Sequence, residues 1–407
     1  MRIVLLTQWF DPEHTIKGLI FARALKREGH DVQVVTGFPN YPGGKVFPGY
    51  RIKLFQREDI DGIRILRVAL FPSHGASAVR RILNYGTFAV SASILGSVLT
   101  GRADVIYAYH PPLTVGLAAA ALGVAKRAPF VYDVQDLWPD TLAATGMVGD
   151  ARLLRVVGKV AKWVYGRAAY VVAQSPGFQR TLASRGVPKT KLGVIYNWCD
   201  EDQLVLEHDP KIAEELKAGH RFNVVFAGTM GKAQGLESVL RAAELVAERG
   251  ARAQFVFVGG GVELASLKAR AEGSGLTNVR FLPRMPMAEV GKVLDAADVL
   301  LVHLRDDALF EITIPGKLQA YMAVGKPVLA AVRGDAADLI ETSGGGITCK
   351  PEDPLSLADA VEKLEGLGPV ALQEMGTRGK RYYESELSLR IGTRHFLRIF
   401  ELVAGQA

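Results

Sequence analysis

The sequence predicts an α/β protein built as two doubly wound, parallel-sheet domains of the Rossmann type. Three observations lead there. Short runs rich in Val and Ile alternate with helical patterns from end to end, and strand–helix alternation implies parallel sheets with helices on both faces. The strand runs are apolar throughout rather than alternating, as strands buried on both faces require. A chain of 407 residues is comfortable for two domains of about 200 residues each.

In the first half, strands are expected at 2–7, 31–36, 63–68, 103–109, 129–133, 168–173 and 192–195. Helices are expected at 16–28, 78–100, 114–127, 151–166 and 176–185. The first of these closes at Gly29, a common helix stop. In the second half, strands fit 222–227, 253–258, 278–282, 298–302, 327–331 and 346–349. Helices fit 235–249, 262–272, 286–296, 316–324, 335–342, 355–366 and 370–383, with a last helix over 388–403. The polar stretch 201–220 separates the two sets. The expected division is therefore 1–200, a connector 201–220, and 221–387.

Composition narrows the class. The chain is 49% apolar and 22% charged, as a soluble globular protein should be. Two cysteines, Cys199 and Cys349, support neither a disulfide framework nor a zinc cluster, so a cytoplasmic setting is expected. The start MRIVLLTQWF lacks the long apolar run and cleavage site of a secretory leader and reads as a strand. Residues 1–200 hold 25 basic and 13 acidic side chains, and between Asp150 and Asp200 lie nine bases and no acid. Such a surface attracts phospholipid or a diphosphate-bearing molecule. Aromatic residues do not interleave with the bases as in stacking platforms, so nucleic acid is not expected.

Ligands of doubly wound folds bind at the carboxyl ends of the strands, which puts the expected site in a cleft between the two lobes. In IPGKLQAYMAVGKPVLA (314–330), Ile314 and Pro315 lead into a helix whose first amides, at Gly316, Lys317 and Leu318, would face an anion. The Lys317 charge would add to them. In AGTMGKAQGLESVL (227–240), Gly228, Thr229, Gly231, Lys232 and Gln234 lie between a buried strand and a helix, where glycine lets backbone approach a phosphate. Gly259 follows the strand FVFV and also suits a plain tight turn. No glycine fingerprint follows the first strand, which argues against a dinucleotide enzyme. In the first half, His110 ends one strand, and Gln135, Asp136 and Trp138 follow another in DVQDLWPD (133–140). His110 could act as base or as hydrogen-bond donor.

Two helices could touch a membrane. On 151–166 the bases Arg152, Arg155, Lys159 and Lys162 line one face, with Leu153, Val156, Val157, Val160, Trp163 and Val164 on the other. Such a helix could lie on an anionic bilayer or cover its sheet. The segment 82–99 is nearly all apolar, but short of the roughly 20 residues that span a bilayer. A peripheral contact is expected, not a span.

The ordered set TGFPNYPGG (36–44), RRILNYGTF (80–88), PPLTVGLAA (111–119), DLWPD (136–140), SPGF (175–178), GKAQGLESVL (231–240), VRFLP (279–283), IPGKLQAYMAVGKPV (314–328) and MGTRGKRYYE (375–384) resembles glycosyltransferase family 4. It is similar to the branch found in O-antigen, capsule and exopolysaccharide clusters, which includes N-acetyl-L-fucosaminyltransferases. The resemblance implies the GT-B fold and a retaining transferase that uses a nucleotide-sugar donor, UDP-linked, with no metal or other cofactor. It implies a saccharide acceptor, often polyprenyl-diphosphate-linked, at the inner face of the cytoplasmic membrane. It also implies that the last helix, 388–407, returns to the first lobe.

By the same resemblance the donor falls to Gly228, Thr229, Gly231, Lys232, Gln234, Gly259, Pro283, Arg284, Glu311, Ile314, Pro315, Gly316, Lys317 and Gln319. Acceptor-side positions are His14, Lys17, Asn40, Tyr41, His110, Gln135, Asp136 and Trp138, with His110, Lys232 and Lys317 as catalytic candidates. The sequence departs from the family at several points. The second acid of the family's Glu-x7-Glu pair is Gln319, with Glu311 at the first position. The phosphate-binding Arg and Lys are Thr229 and Gln234, and Gln135 stands where many relatives carry histidine. A non-hydrolysing sugar-nucleotide 2-epimerase and a catalytically weak sugar-nucleotide-binding protein remain alternatives.

Overall fold

The computed structural model describes residues 1–13, 15–73, 78–144, 148–204, 206–217 and 222–405. They form two compact units, Met1–Tyr196 with Gly392–Ala407, and Asn197–Ile391.

The first unit holds eight strands: β1 (Arg2–Thr7), β2 (Asp31–Gly37), β3 (Phe55–Ile60), β4 (Ile63–Val68), β5 (Val105–Tyr109), β6 (Phe130–Val134), β7 (Tyr170–Ala173) and β8 (Leu192–Val194). Their order is β3-β4-β2-β1-β5-β6-β7-β8. All pairs are parallel except β3 with β4. The chain winds outward one way from β1 through β2 and the other way from β5, so the order reverses between β1 and β5. Strand β3 is absent from the expected elements. It is an antiparallel edge strand, alternately exposed, and joins β4 through Asp61 and Gly62, both at positive φ. This is the backbone of a tight hairpin.

The second unit holds β9 (Phe222–Thr229), β10 (Ala253–Gly260), β11 (Val279–Leu282), β12 (Val299–His303), β13 (Val328–Ala331) and β14 (Gly346–Cys349). They are all parallel, in the order β11-β10-β9-β12-β13-β14. This is the doubly wound arrangement, with its reversal between β9 and β12. Val224, Phe226, Phe255, Phe257, Leu301 and Leu329 form its core with the helices Leu236–Glu248 and Pro354–Tyr382. The latter is two helices joined at Gly368, whose φ is 76°. Residues 201–220, expected as a connector, belong to this unit, and they include a helix, Pro210–Lys217. Leu216 of that helix is buried and its carbonyl accepts from Gln254 Nε2 at 3.0 Å.

Where β9 and β10 end side by side, Gly259 (φ 134°) faces Gly228 so closely that a Cβ would lie 2.1 Å from the Gly228 oxygen. The close approach of the neighbouring strand by itself therefore requires glycine at this position. Replacing Gly259 with alanine should cost about 3 kcal/mol, from the positive φ and the clash together. Urea unfolding checks this; an unchanged midpoint would contradict it.

Candidate functional site

The reversal between β9 and β12 is the place where the second unit can hold a ligand. The helix Gly316–Val324 starts beside it, with Pro315 in the capping position rather than the first turn. Tyr321, one turn further on, accepts from the Ala227 amide at 2.8 Å and donates to the Ala227 carbonyl at 3.1 Å. These bonds clamp the helix to the end of β9. Lys317 is thereby laid across β9, with Nζ 3.4 Å from the centre of the Phe226 ring. A Cβ at Gly228 would lie 3.2 Å from the same nitrogen. Nζ is buried and makes no hydrogen bond among the described residues. Burial alone draws its pKa down to about 7.

An ammonium shielded from water with no acceptor is costly unless an anion arrives to complete it. The amide of Leu318 bonds to the Pro315 carbonyl at 2.8 Å. That corrects the expectation of three free amides: the available pair is Gly316 and Lys317. Gln319 is buried. With its amide nitrogen turned to the helix start, it donates to the carbonyls of Pro315 (2.9 Å) and Gly316 (3.2 Å). A glutamate in the same rotamer would set a carboxylate against two carbonyl oxygens.

Around the strand ends the glycine-rich loop is held by its own side chains. Gln234 Oε1 accepts from the Gly231 amide at 3.0 Å, so Gln234 closes the short 3-10 turn Lys232–Gln234. Thr229 and Lys232 are exposed. His303, which sequence reasoning did not single out, organises the region from the end of β12. Its Nδ1 lies 2.6 Å from the Gln234 carbonyl and must donate to it. Nε2 then accepts, from Ser238 Oγ at 3.0 Å and the Glu352 amide at 3.4 Å. Burial holds it neutral, with a pKa near 4. Its signal was its position as the last residue of an apolar strand. Ile314 is buried, Glu311 is exposed at the end of the turn Ala308–Glu311, and Pro283 and Arg284 are exposed after the outermost strand β11.

In the first unit the corresponding reversal brings the ends of β1, β5 and β6 together. His110 is buried. Its Nδ1 accepts from the amides of Asp136 (3.2 Å) and Gln135 (3.4 Å), so the ring proton sits on Nε2. Burial lowers its pKa to about 3. His110 is thus a neutral donor through Nε2, and of the two roles open to it the geometry disfavours the base. Trp138 packs edge-on against His110, centroids 5.7 Å apart, and tilts against Tyr85 at 6.1 Å. Burial raises the Asp136 carboxyl to about 6, near enough to neutrality to exchange a proton. His14 lies outside the described residues.

Lys17 was expected to face a ligand. It is instead wholly buried, 2.6 Å from Asp133 Oδ2, because a carboxylate inside an apolar sheet needs a counter-charge. Tyr107 donates to the same oxygen at 2.5 Å, and Gln135 Nε2 donates to Oδ1 at 2.6 Å. Glu13, also missed, accepts from the amides of Asn40 and Tyr41 at 2.6 Å and of Phe10 at 3.2 Å. Desolvation lifts its pKa to about 7 against those bonds. Asn40 is locked by this contact, and Tyr41 stacks on Trp9 with centroids 4.3 Å apart.

Residues 20–198 match the glycosyl transferase 4-like domain, and residues 221–365 match the glycosyl transferases group 1 domain. The chain belongs to the family-4-like glycosyltransferases. Among its relatives is the probable glycosyltransferase WbjE of Pseudomonas aeruginosa, 29% identical over 70% of this chain and 72% of that protein. The putative colanic acid biosynthesis glycosyl transferase WcaI of Escherichia coli is 25% identical over 92% of each. Solved structures share the fold. The catalytic domain of Arabidopsis thaliana starch synthase IV, bound to ADP and acarbose, superposes with a TM-score of 0.73 at 14% identity, covering 99% of both chains. Anabaena HepE in complex with UDP and glucose superposes at 0.68 and 18% identity, covering 98% of this chain and 99% of that one. These likenesses place the chain among GT-B proteins in fold.

For this glycosyltransferase, Lys17→Met should leave Asp133 buried and uncompensated at a cost of about 3–5 kcal/mol. The double variant Lys17→Met/Asp133→Asn should recover part of that loss. Equal stability of single variant and wild type in urea would refute the pair's structural role.

Proposed function

We propose that this glycosyltransferase moves a hexosyl or N-acetylhexosaminyl group from a nucleoside-diphosphate donor, UDP-linked, to a lipid-linked saccharide during assembly of a bacterial cell-surface polysaccharide. The observation that carries the donor side is Lys317: a buried ammonium without a hydrogen-bond acceptor among the described residues, on the first turn of a helix, at the reversal point of a doubly wound sheet. A diphosphate there would be met by Nζ, by the amides of Gly316 and Lys317, and by Lys232 reaching in from its exposed turn. The names of the relatives support the polysaccharide setting, and the UDP-bound Anabaena neighbour guides the choice of first nucleotide.

In the proposed reaction, the bond from sugar C1 to the donor phosphate oxygen breaks and a bond from C1 to the acceptor hydroxyl oxygen forms on the same face. The hydroxyl proton passes to the departing diphosphate. Negative charge grows on that leaving group, and Lys317 and Lys232 stabilise it. Gln319 stands where the family's ribose-binding acid falls and would still offer an acceptor oxygen. Asp136, Trp138 and the Nε2–H of His110 are assigned to the acceptor sugar. No metal takes part in this reading. The bases of the helix Ala151–Arg167, with Leu153, Val156 and Trp163 exposed among them, support a peripheral position on the inner face of the cytoplasmic membrane.

A thermal-shift panel of UDP, GDP, ADP and CMP tests the donor site. At about 100 times its dissociation constant, the right nucleotide should add about 2.7 kcal/mol of stability. Lys317→Ala should abolish the shift, whereas no response to any diphosphate would end the donor-site assignment. Donor turnover without acceptor would favour the epimerase instead.

The pH dependence is a separate check. Lys317 ionises near 7 in the free protein, and a bound phosphate stabilises the ammonium and lifts that value. Binding therefore takes up a proton, and UDP affinity should fall as pH rises above about 7. The fall should be absent in Lys317→Met; calorimetry showing the same pH profile in both proteins would contradict it.

A further inference from the structure

The helix Ala78–Ser91, which carries the motif RRILNYGTF, has two opposed faces. The inner face organises the first unit's cluster. Asn84 accepts from Gln8 Nε2 at 2.5 Å and donates to the Phe71 carbonyl at 2.7 Å. Tyr85 is buried against Trp138, and Phe88 is in the core. The outer face is apolar and uncovered. Val79, Ile82, Leu83 and Val90 are exposed there, and the stripe runs on through Ile94 (60% exposed) to Val98 (75%). Helix and stripe continue through a π-helical segment, Ala92–Gly96, and a last turn, Ser97–Leu99. Val124 on the adjoining helix Thr114–Lys126 is 80% exposed. Bases stand at both ends of the stripe: Arg80 and Arg81 in its first turn, and Arg102 and Arg127 beyond its far end.

Arg81 sits at the seam between the faces. It precedes Tyr85 by four residues, so the two side chains lie over the same stretch of helix. Its Nε is buried and has no hydrogen-bond partner among the described residues. Burial raises the Tyr85 phenol, and Arg81 opposes that rise while Tyr41 and Asp136 add to it. The guanidinium therefore lies within electrostatic reach of the proposed acceptor pocket. A buried guanidinium N–H left unsatisfied is costly. A planar fork with a vacant donor suits a phosphate better than any other common ligand.

We propose that Arg81 binds the phosphate of a membrane-borne acceptor, while the outer face of its own helix rests in an anionic bilayer. A phosphate joining a lipid tail to a sugar lies at headgroup level. One helix would then hold the tail side with its stripe, the phosphate with Arg81, and the sugar side with Tyr85 and its neighbour Trp138. The assignment rests on the lipid-linked acceptor of the proposed function.

Vesicle flotation tests it with three compositions: phosphatidylcholine alone, phosphatidylcholine with phosphatidylglycerol, and phosphatidylcholine with undecaprenyl diphosphate at matched surface charge. The wild type should bind the second better than the first, and the third best. Arg81→Gln should lose the gain given by the diphosphate lipid, about tenfold in affinity. It should keep phosphatidylglycerol binding and the UDP thermal shift. Ile94→Ser/Val98→Ser should weaken binding to every vesicle and leave the UDP shift intact. If Arg81→Gln does not unfold cooperatively, Arg81→Lys, which keeps the charge but not the fork, must still lose part of the gain. An undiminished gain in either variant overturns the assignment of Arg81. Equal loss on both anionic vesicles overturns it too, because the residue would then be reading ordinary headgroups. A wild type that gains nothing from the diphosphate lipid instead removes the lipid-linked acceptor itself.

Discussion

The first unit turns on Asp133. A carboxylate at the centre of a parallel sheet is tolerable only if its charge and its lone pairs are answered, and Lys17, Tyr107 and Gln135 answer them from three different elements. Lys17 comes from the loop after β1, Tyr107 from β5 itself, and Gln135 from the segment that also donates its amide to His110. Fixing the carboxylate therefore fixes the loops around His110 as well. Lys317 is the opposite case. Its ammonium nitrogen is buried and has no hydrogen-bond partner among the described residues. One lysine is finished within the protein and the other is not, and that asymmetry is the ground on which Lys317 is proposed as the binding charge.

Both units use the same device to prepare a site. In each sheet the chain winds outward from a central pair of strands, leaving a gap in helical cover at their carboxyl ends. The second unit lines the gap with glycines, a lysine and a helix start, which suits phosphate. The first lines it with a neutral imidazole, a carboxyl that burial raises to about 6 and an indole, which suits sugar hydroxyls and a sugar face. The proposed division between donor and acceptor roles rests on this difference in lining.

Much of this architecture was legible in the sequence, because the apolar strand runs are long enough to override local ambiguity. All strands of the second sheet were foreseen. The edge strand Phe55–Ile60 was not, since FQREDI is charged and half-exposed; the Asp61-Gly62 turn beside it was the available clue. The helix Pro210–Lys217 was read as a connector for the same reason, its polarity hiding one buried leucine. At the site, Lys317 was visible because Pro-Gly-Lys before a helix is a local pattern. His303, Glu13 and the burial of Lys17 were not, because each depends on partners distant in sequence, and a lone histidine or glutamate carries no periodic signal.

The last helix closes the first unit. Phe396 packs against Phe21 and Tyr107 at about 5 Å and lies under the Lys17 ammonium at 5.0 Å, and Phe400 follows it against Tyr107. The core begun by the first strand is thus completed by residues that follow the whole of the second unit in sequence. During synthesis the amino-terminal sheet must wait with its central ion pair uncovered until the whole of the second unit has left the ribosome. A chain cut before Leu389–Ala404 would lack the roof over its own first sheet.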